Sequence, residues 1–224
     1  MVRQAHHERN LRTARPEPVE GRAAPKAYLG VDLASSAARP SGYAVLDEQS
    51  RLLALGLVAT DDEILSLASR WRSQLVALDA PLSWPTDPDS SGRQCEVRLA
   101  REGIGTFRTT RRTIIRALVE RGIALAGVLR WQGFQVIEVY PYGSKVRLFG
   151  RPIPKKTRSS GRAWLRQRLE GLLPDLTCHP ASLTHDELDA VMAAYTALLR
   201  DRGLTEDVGD PAEGQVCLPR ASIS

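Results

Sequence analysis

Three acidic residues stand where acids are out of place. Asp32 interrupts the apolar run Gly30-Val31-Asp32-Leu33, Asp79 follows Val76-Ala77-Leu78 and precedes Ala80-Pro81, and Glu138 lies inside Val136-Ile137-Glu138-Val139-Tyr140-Pro141. Carboxylates are poor strand formers and expensive to bury without partners. Two more acids, Asp186 and Asp189, are three residues apart and share one face of a helix. Carboxylates that converge from neighbouring strand ends repel one another unless positive charge sits between them. No His or Cys is paired with these acids, so a hard divalent cation with oxygen ligands, Mg²⁺ or Mn²⁺, is the natural counterion. Two such ions about 3.5–4 Å apart activate a water and stabilise the leaving oxygen of a phosphodiester. The expected catalytic set is Asp32, Asp79, Glu138 and Asp189, and the expected metal ligands are Asp32, Asp79, Asp186 and Asp189.

Each acid also has an ordinary structural explanation. Asp32, just before Ser35-Ser36, can cap a turn, and Asp79 can bond local amides at a strand end. Glu138 can pair with an arginine, and Asp186 sits in a first helical turn, where the macrodipole favours acids. Asp189, one turn further in and flanked by Leu188 and Ala190, is the hardest to explain this way.

The charge is unevenly distributed. Arg93 to Arg168 holds 18 Lys and Arg against 4 acids, which leaves 13 bases and 22 acids for the rest of a chain whose net charge is +5. Such a split suits one face for a polyanion and another that gathers carboxylates, although a solvated basic surface is the plainer alternative. Arg111-Arg112 and Lys155-Lys156 are adjacent cations in polar segments and are candidate phosphate contacts. Arg93 and Glu96, three apart, are expected at the rim of the site, with Arg93 clamping phosphate and Glu96 orienting it; an ordinary surface ion pair is the alternative. Trp131, Phe134, Tyr140 and Tyr142 can stack on bases, but aromatics at element ends more often belong to the core.

These residues must be positioned by a fold, and the hydrophobic pattern gives its order. Tyr28–Leu33, Gly42–Asp47 and Arg51–Ala59 read as a three-stranded meander. Asp61-Asp62-Glu63 opens an amphipathic helix, and Gln74–Ala80, closed by Pro81, reads as a fully buried strand parallel to the first. Helices are expected near Arg93–Glu102, Thr109–Trp131 and Trp164–Leu172, and a strand over Gln135–Tyr140 stopped by Pro141. Arg147–Gly161 reads as a basic, proline-containing connection. Thr184-His185-Asp186-Glu187 is a capping box that opens the last helix. The expected organisation is a disordered extension over residues 1–26, a domain over 27–202 and a loose tail over 203–224. The extension resembles a translated intergenic repeat, so whether it belongs to the natural protein is open, and His6-His7 is not read as a metal site.

With 224 residues, 42% of them hydrophobic, a domain of this size needs no disulfide staples. Three scattered cysteines without CxxC spacing argue against a secreted disulfide framework and a zinc ribbon and leave a reducing cytoplasm as the default. The longest clean apolar run, Ile123–Leu129, is far short of the roughly 20 residues that cross a bilayer, so no membrane association is expected.

Gly30-Val31-Asp32-Leu33-Ala34, Ser41-Gly42-Tyr43-Ala44-Val45, Leu78-Asp79-Ala80-Pro81-Leu82, Arg93-Gln94-Cys95-Glu96-Val97-Arg98-Leu99, Glu138-Val139-Tyr140-Pro141 and His185-Asp186-Glu187-Leu188-Asp189-Ala190 resemble successive blocks of domain-of-unknown-function family 429, described as predicted RNase H-like nucleases. The likeness runs in order from about Ala27 to Leu199. It implies an α/β RNase H-like core: three antiparallel strands, a helix, then parallel strands, with helices on both faces of one mixed sheet. It further implies that Asp32 bridges two metals, that Asp79 is the fourth-strand ligand, and that Asp186 or Asp189 is the helical acid, as in Holliday-junction-resolvase-like relatives. Glu138 matches a family block but none of the three usual positions of the wider fold.

The expected function is therefore a divalent-metal-dependent phosphodiester hydrolase, a nuclease on DNA or RNA. A homodimer is open by analogy with resolvases, although no apolar stripe demands one. Two alternatives remain. One is a catalytically inactive nucleic-acid-binding or scaffold module on the same fold. The other is an ATP-using phosphotransferase of the actin and sugar-kinase type, whose phosphate hairpin needs a glycine that Asp32-Leu33-Ala34-Ser35-Ser36 lacks.

Overall fold

The computed structural model describes residues 26–36 and 38–221; the expectation for residues 1–26 falls, but for Lys26, outside them. β1 (Ala27–Asp32), β2 (Ser41–Asp47) and β3 (Leu52–Val58) form the antiparallel meander. α1 (Asp61–Trp71) follows, opened by a capping box in which Thr60 and Glu63 exchange hydrogen bonds. β4 (Leu75–Asp79) returns parallel to β1, and its four apolar residues are buried, which is why it reads as a continuous hydrophobic run. After α2 (Gln94–Arg101) and α3 (Arg116–Trp131), β5 (Gln135–Val139) pairs parallel to β4. α4 (Pro141–Phe149), α5 (Ser159–Glu170) and a 3₁₀ turn over Pro174–Cys178 lead to α6 (His185–Asp201). The hairpin β6 (Thr205–Asp210) and β7 (Gly214–Pro219) completes one sheet of seven strands in the order β3-β2-β1-β4-β5-β7-β6. This is the mixed α/β arrangement that the resemblance implies.

One face of the sheet packs on α6 and α5, the other on α1 and α3, and a small third cluster joins α2 to the last hairpin. α6 lies unusually close to the sheet. A Cβ on Gly30 would stand 2.1 Å from the Ala194 amide nitrogen, and one on Gly42 would stand 2.2 Å from the Asp186 carbonyl oxygen. Only glycine lets helix backbone and strand backbone meet there.

Several expectations are corrected. Pro141 does not merely stop β5; it occupies the first turn of α4, where its missing N–H is no loss. α3 begins at Arg116 rather than Thr109 because the Thr109 amide and hydroxyl are drawn to Glu96, holding the preceding segment in a loop. α5 starts five residues earlier than Trp164, at Ser159. The expected loose tail is a hairpin over Thr205–Pro219, and its Val208, Val216 and Leu218 are buried against Cys95 and Leu99 of α2. That burial comes from tertiary contact, which a weak local pattern such as Thr205–Asp210 does not announce. Residues 222–224 lie outside the described set.

Gly30→Ala is expected to lower stability by about 3 kcal/mol, at the upper end for an overpacked core. Gly127→Ala, at an exposed α3 position with open space around it, is expected to raise stability by about 0.5–1 kcal/mol. Urea denaturation of both variants checks the pair.

Candidate functional site

Asp32 and Asp79 are the last residues of adjacent parallel strands and stand in register with each other. Side chains two apart on a strand point to one face, so Asp32 lies on the side where Gly30 meets α6. There α6 brings Asp189, and all three carboxylates line one cavity of about 720 Å³. Its other walls are largely apolar, with Leu33, Leu99, Phe107, Leu118, Tyr140 and Ile153 among them.

The three acids are treated very differently. Asp32 Oδ2 is fully buried and accepts no hydrogen bond among the described residues. Burial, followed by the neighbouring Asp79 and Asp189 charges, pushes the Asp32 carboxyl well above the ordinary carboxylate range. Burial and the Asp189 charge push Asp79 up to about 7. Asp189 is opposite in sign: burial alone would raise it, but two ammonium groups hold it below the usual value. Lys145 Nζ donates to its Oδ1 and Lys156 Nζ to its Oδ2, each at 2.8 Å.

Lys145 lies on α4 with 3% of its surface exposed. Its helix is held against α6 by the buried Ser144 hydroxyl, which bonds Thr196 at 3.0 Å, while Thr196 donates to the Met192 carbonyl. Lys156, whose side chain is 47% exposed, comes from the loop between α4 and α5. That loop is seated on α5 where a Cβ on Gly161 would stand 2.1 Å from the Lys155 carbonyl oxygen. Burial works against the Lys156 charge, yet the Asp189 carboxylate outweighs it and holds its pKa above the ordinary lysine value.

Glu138, Arg93 and Glu96, which line the same cavity, form a second charge cluster. Arg93 is 2% exposed and lies inside the protein rather than on a rim. It grips Glu138 with both terminal nitrogens, at 2.7 and 2.5 Å, and bonds Ser83 at 3.0 Å and Glu96 at 3.1 Å. Glu138 Oε2 also takes the Leu82 amide at 2.8 Å. Glu96 accepts the amides of Arg93 and Thr109 and the Thr109 hydroxyl. All three groups are committed to one another, so Arg93 has no free fork for phosphate and Glu138 no free oxygen pair for a cation. Together they tie the loop after β4 and the start of α2 to β5.

Asp186 lies half-exposed at the start of α6, pairs with His185 at 3.1 Å and does not line the cavity, so Asp189 is the helical acid there. Arg111, Arg112 and Lys155 are exposed. Arg111 pairs loosely with Asp89, while Arg112 and Lys155 have no ion-pair partner among the described residues. Lys156 is turned inward to Asp189 instead of outward toward a substrate backbone. Tyr140 and Tyr142 line the cavity, with the Tyr140 hydroxyl donating to the Gly105 carbonyl, whereas Trp131 is 86% exposed and takes no part. Lys145 escaped sequence reading because its helix did. A lysine between Ser144 and Val146 in an apolar helix is the signal that would have marked it. Among the described residues, no group of three or more His, Cys, Asp or Glu is placed to hold a metal ion, and no helix is long and apolar enough to cross a membrane. Cys95, Cys178 and Cys217 are all free.

Comparison with known proteins gives a family and a distant structural likeness. A family model described as a protein of unknown function (DUF429) matches residues 30–214. A solved structure titled Thermus thermophilus RuvC structure is similar at a TM-score of 0.44 and 16% sequence identity, over 79% of this chain and 96% of that one. No curated protein matches.

The electrostatics set two expectations. A carboxyl whose pKa is about 7 in the folded chain and near 4 in the unfolded one binds its proton more tightly when folded. Stability should therefore fall as pH rises from about 4 to 7 and level off above. Asp79→Asn should weaken that dependence, leaving the part that the raised Asp32 carboxyl contributes, and raise the melting temperature at pH 8 in chelator by several degrees, at about 2–4 °C per kcal/mol for a chain of this length. Arg93→Met strands two buried carboxylates and should cost about 3–5 kcal/mol, less when Glu138→Gln is added. Thermal and urea melts check both.

Proposed function

The chain belongs to the DUF429 family of proteins of unknown function, and from that premise we propose that it is a divalent-metal-dependent phosphodiester hydrolase acting on nucleic acid. The observation that carries this reading is the buried Asp32 oxygen without a hydrogen-bond partner, on a carboxylate in register with Asp79. A buried anionic oxygen left bare is costly unless a cation meets it. Two carboxylates at the ends of parallel strands, with no His or Cys between them, suit Mg²⁺ or Mn²⁺. Asp32 and Asp79 would hold that ion, and it would supply a Lewis acid and a water of lowered pKa.

The remaining groups belong to the chain. Lys156 keeps its proton under the influence of Asp189, so it serves as a fixed positive charge facing the developing negative charge on phosphate rather than as an acid. Arg112 and Lys155, exposed and unpaired among the described residues, suit contact with the flanking backbone. The apolar walls offered by Phe107 and Tyr140 suit an unstacked base or its sugar, and they exclude bulk water from the scissile phosphate. In the reaction a water oxygen forms a bond to phosphorus, the bond to the leaving sugar oxygen breaks, and the water's proton ends on the products. A phosphomonoester and an alcohol result.

Full-length protein is assayed with labelled single strands, duplexes, RNA–DNA hybrids and four-way junctions, with Mg²⁺ or Mn²⁺ titrated in. Metal-dependent cleavage of at least one substrate is expected, and Asp32→Asn should reduce it at least about a hundredfold. Binding with steep salt dependence and no cleavage at any metal concentration would move the protein to the binding-module class.

A further inference from the structure

Of Asp32, Asp79 and Asp189, only Asp189 has both oxygens taken by lysine ammonium groups among the described residues. Lys145 and Lys156 each donate to a different oxygen at 2.8 Å, one from a buried helix position and one from a loop, so two separate elements converge on it. The Asp32–Asp79 pair, beside it in the same cavity, receives no hydrogen bond on Asp32 Oδ2. A cation shared by all three acids would have to displace at least one ammonium from Asp189, breaking an ion pair of 2.8 Å to a buried carboxylate. The charge count of the site agrees. Asp32, Asp79 and Asp189 meet two ammonium groups, a net of −1, which one divalent ion takes to +1 and two would take to +3.

We infer that the Asp32–Asp79 pair takes a single divalent cation, and that Lys156, seated on Asp189, supplies the site's second positive centre and keeps a second ion out. This rests on the metal-dependent reading above and departs from the two-ion site expected from sequence. It also gives Lys156 a role distinct from that of Lys155 beside it, which makes no ion pair among the described residues.

Mn²⁺ alone is the probe, titrated into chelator-treated full-length protein and followed by calorimetry and electron paramagnetic resonance. Wild type should bind one ion per chain with a mononuclear spectrum. Lys156→Met, a half-exposed position where the neutral stem is tolerated, should bind two, with the exchange-coupled lines of a dinuclear centre. Lys156→Met/Asp189→Asn should return to one. Two ions in wild type, one ion in Lys156→Met, or loss of all binding in the double variant would each overturn the inference. Asp32→Asn/Asp79→Asn separates the two levels of argument. If that variant still binds Mn²⁺ as wild type does, the metal reading itself fails; if it binds none while wild type binds two, only the single-ion inference fails.

Discussion

Three carboxylates in one largely apolar cavity must be neutralised, and most of the architecture on this side of the sheet can be traced to that need. At close range in a medium of low dielectric, like charges are far more costly than in water. The chain neutralises only one of the three, Asp189, by direct ammonium contact. For that contact to form, α6 must lie against β1 and β2 at backbone distance, which Gly30 and Gly42 permit. α4 must dock on α6 to present Lys145, which the Ser144–Thr196 hydroxyl pair secures. The loop after α4 must sit on α5, which Gly161 allows. Losing the docking of α4 or the seating of the loop removes one of the two ammonium groups from Asp189.

The same principle explains where the positive charge of the middle segment goes. Its excess of 14 positive charges looks, from sequence alone, like a face for a polyanion. Much of it is spent inward. Arg93 neutralises Glu138 and Glu96, Arg121 holds Asp61 and the Ala34 carbonyl, and Arg147 bridges Glu102 and Glu206. Arg166 binds the carbonyls of Leu176, His179 and Pro180, fastening the 3₁₀ turn to α5. What remains for a ligand is a smaller set, including Lys155 in the cavity wall and the exposed Arg112. Net charge along a sequence cannot distinguish an arginine that closes a loop from one that meets solvent, because both look alike until partners are assigned.

Legibility followed the range of the forces involved. β1 to β4 and α6 were readable because their signals are local: apolar runs, an acidic first turn, a capping box at Thr184. Asp32 and Asp79 were readable for the same reason, each being an acid that breaks a strand pattern. Glu138 broke the pattern too, yet its explanation lay 45 residues away in Arg93. α4 was missed because Pro141 signals both a strand end and a helix start, and β6 and β7 because their burial depends on Cys95 and Leu99 of α2. Lys145 and the inward turn of Lys156 required knowing which helices meet, and no periodicity reports that.

The division between the two charge clusters has a functional logic. The Arg93 cluster is closed: every oxygen of Glu138 and Glu96 has a donor inside the protein, so it fixes the loop after β4 without responding to a ligand. The Asp32 cluster is open, with one buried oxygen bare and two carboxyls held at raised pKa. A closed network is worth most as scaffold, since breaking one member exposes a buried charge. An open one is unfavourable by itself and tolerable only because the scaffold around it is rigid. Structural positions normally resolve such strain, and binding sites retain it. That contrast, drawn between acids of similar sequence context, is what the proposed role of Asp32 and Asp79 rests on, whereas both oxygens of Glu138 are partnered once the chain has folded.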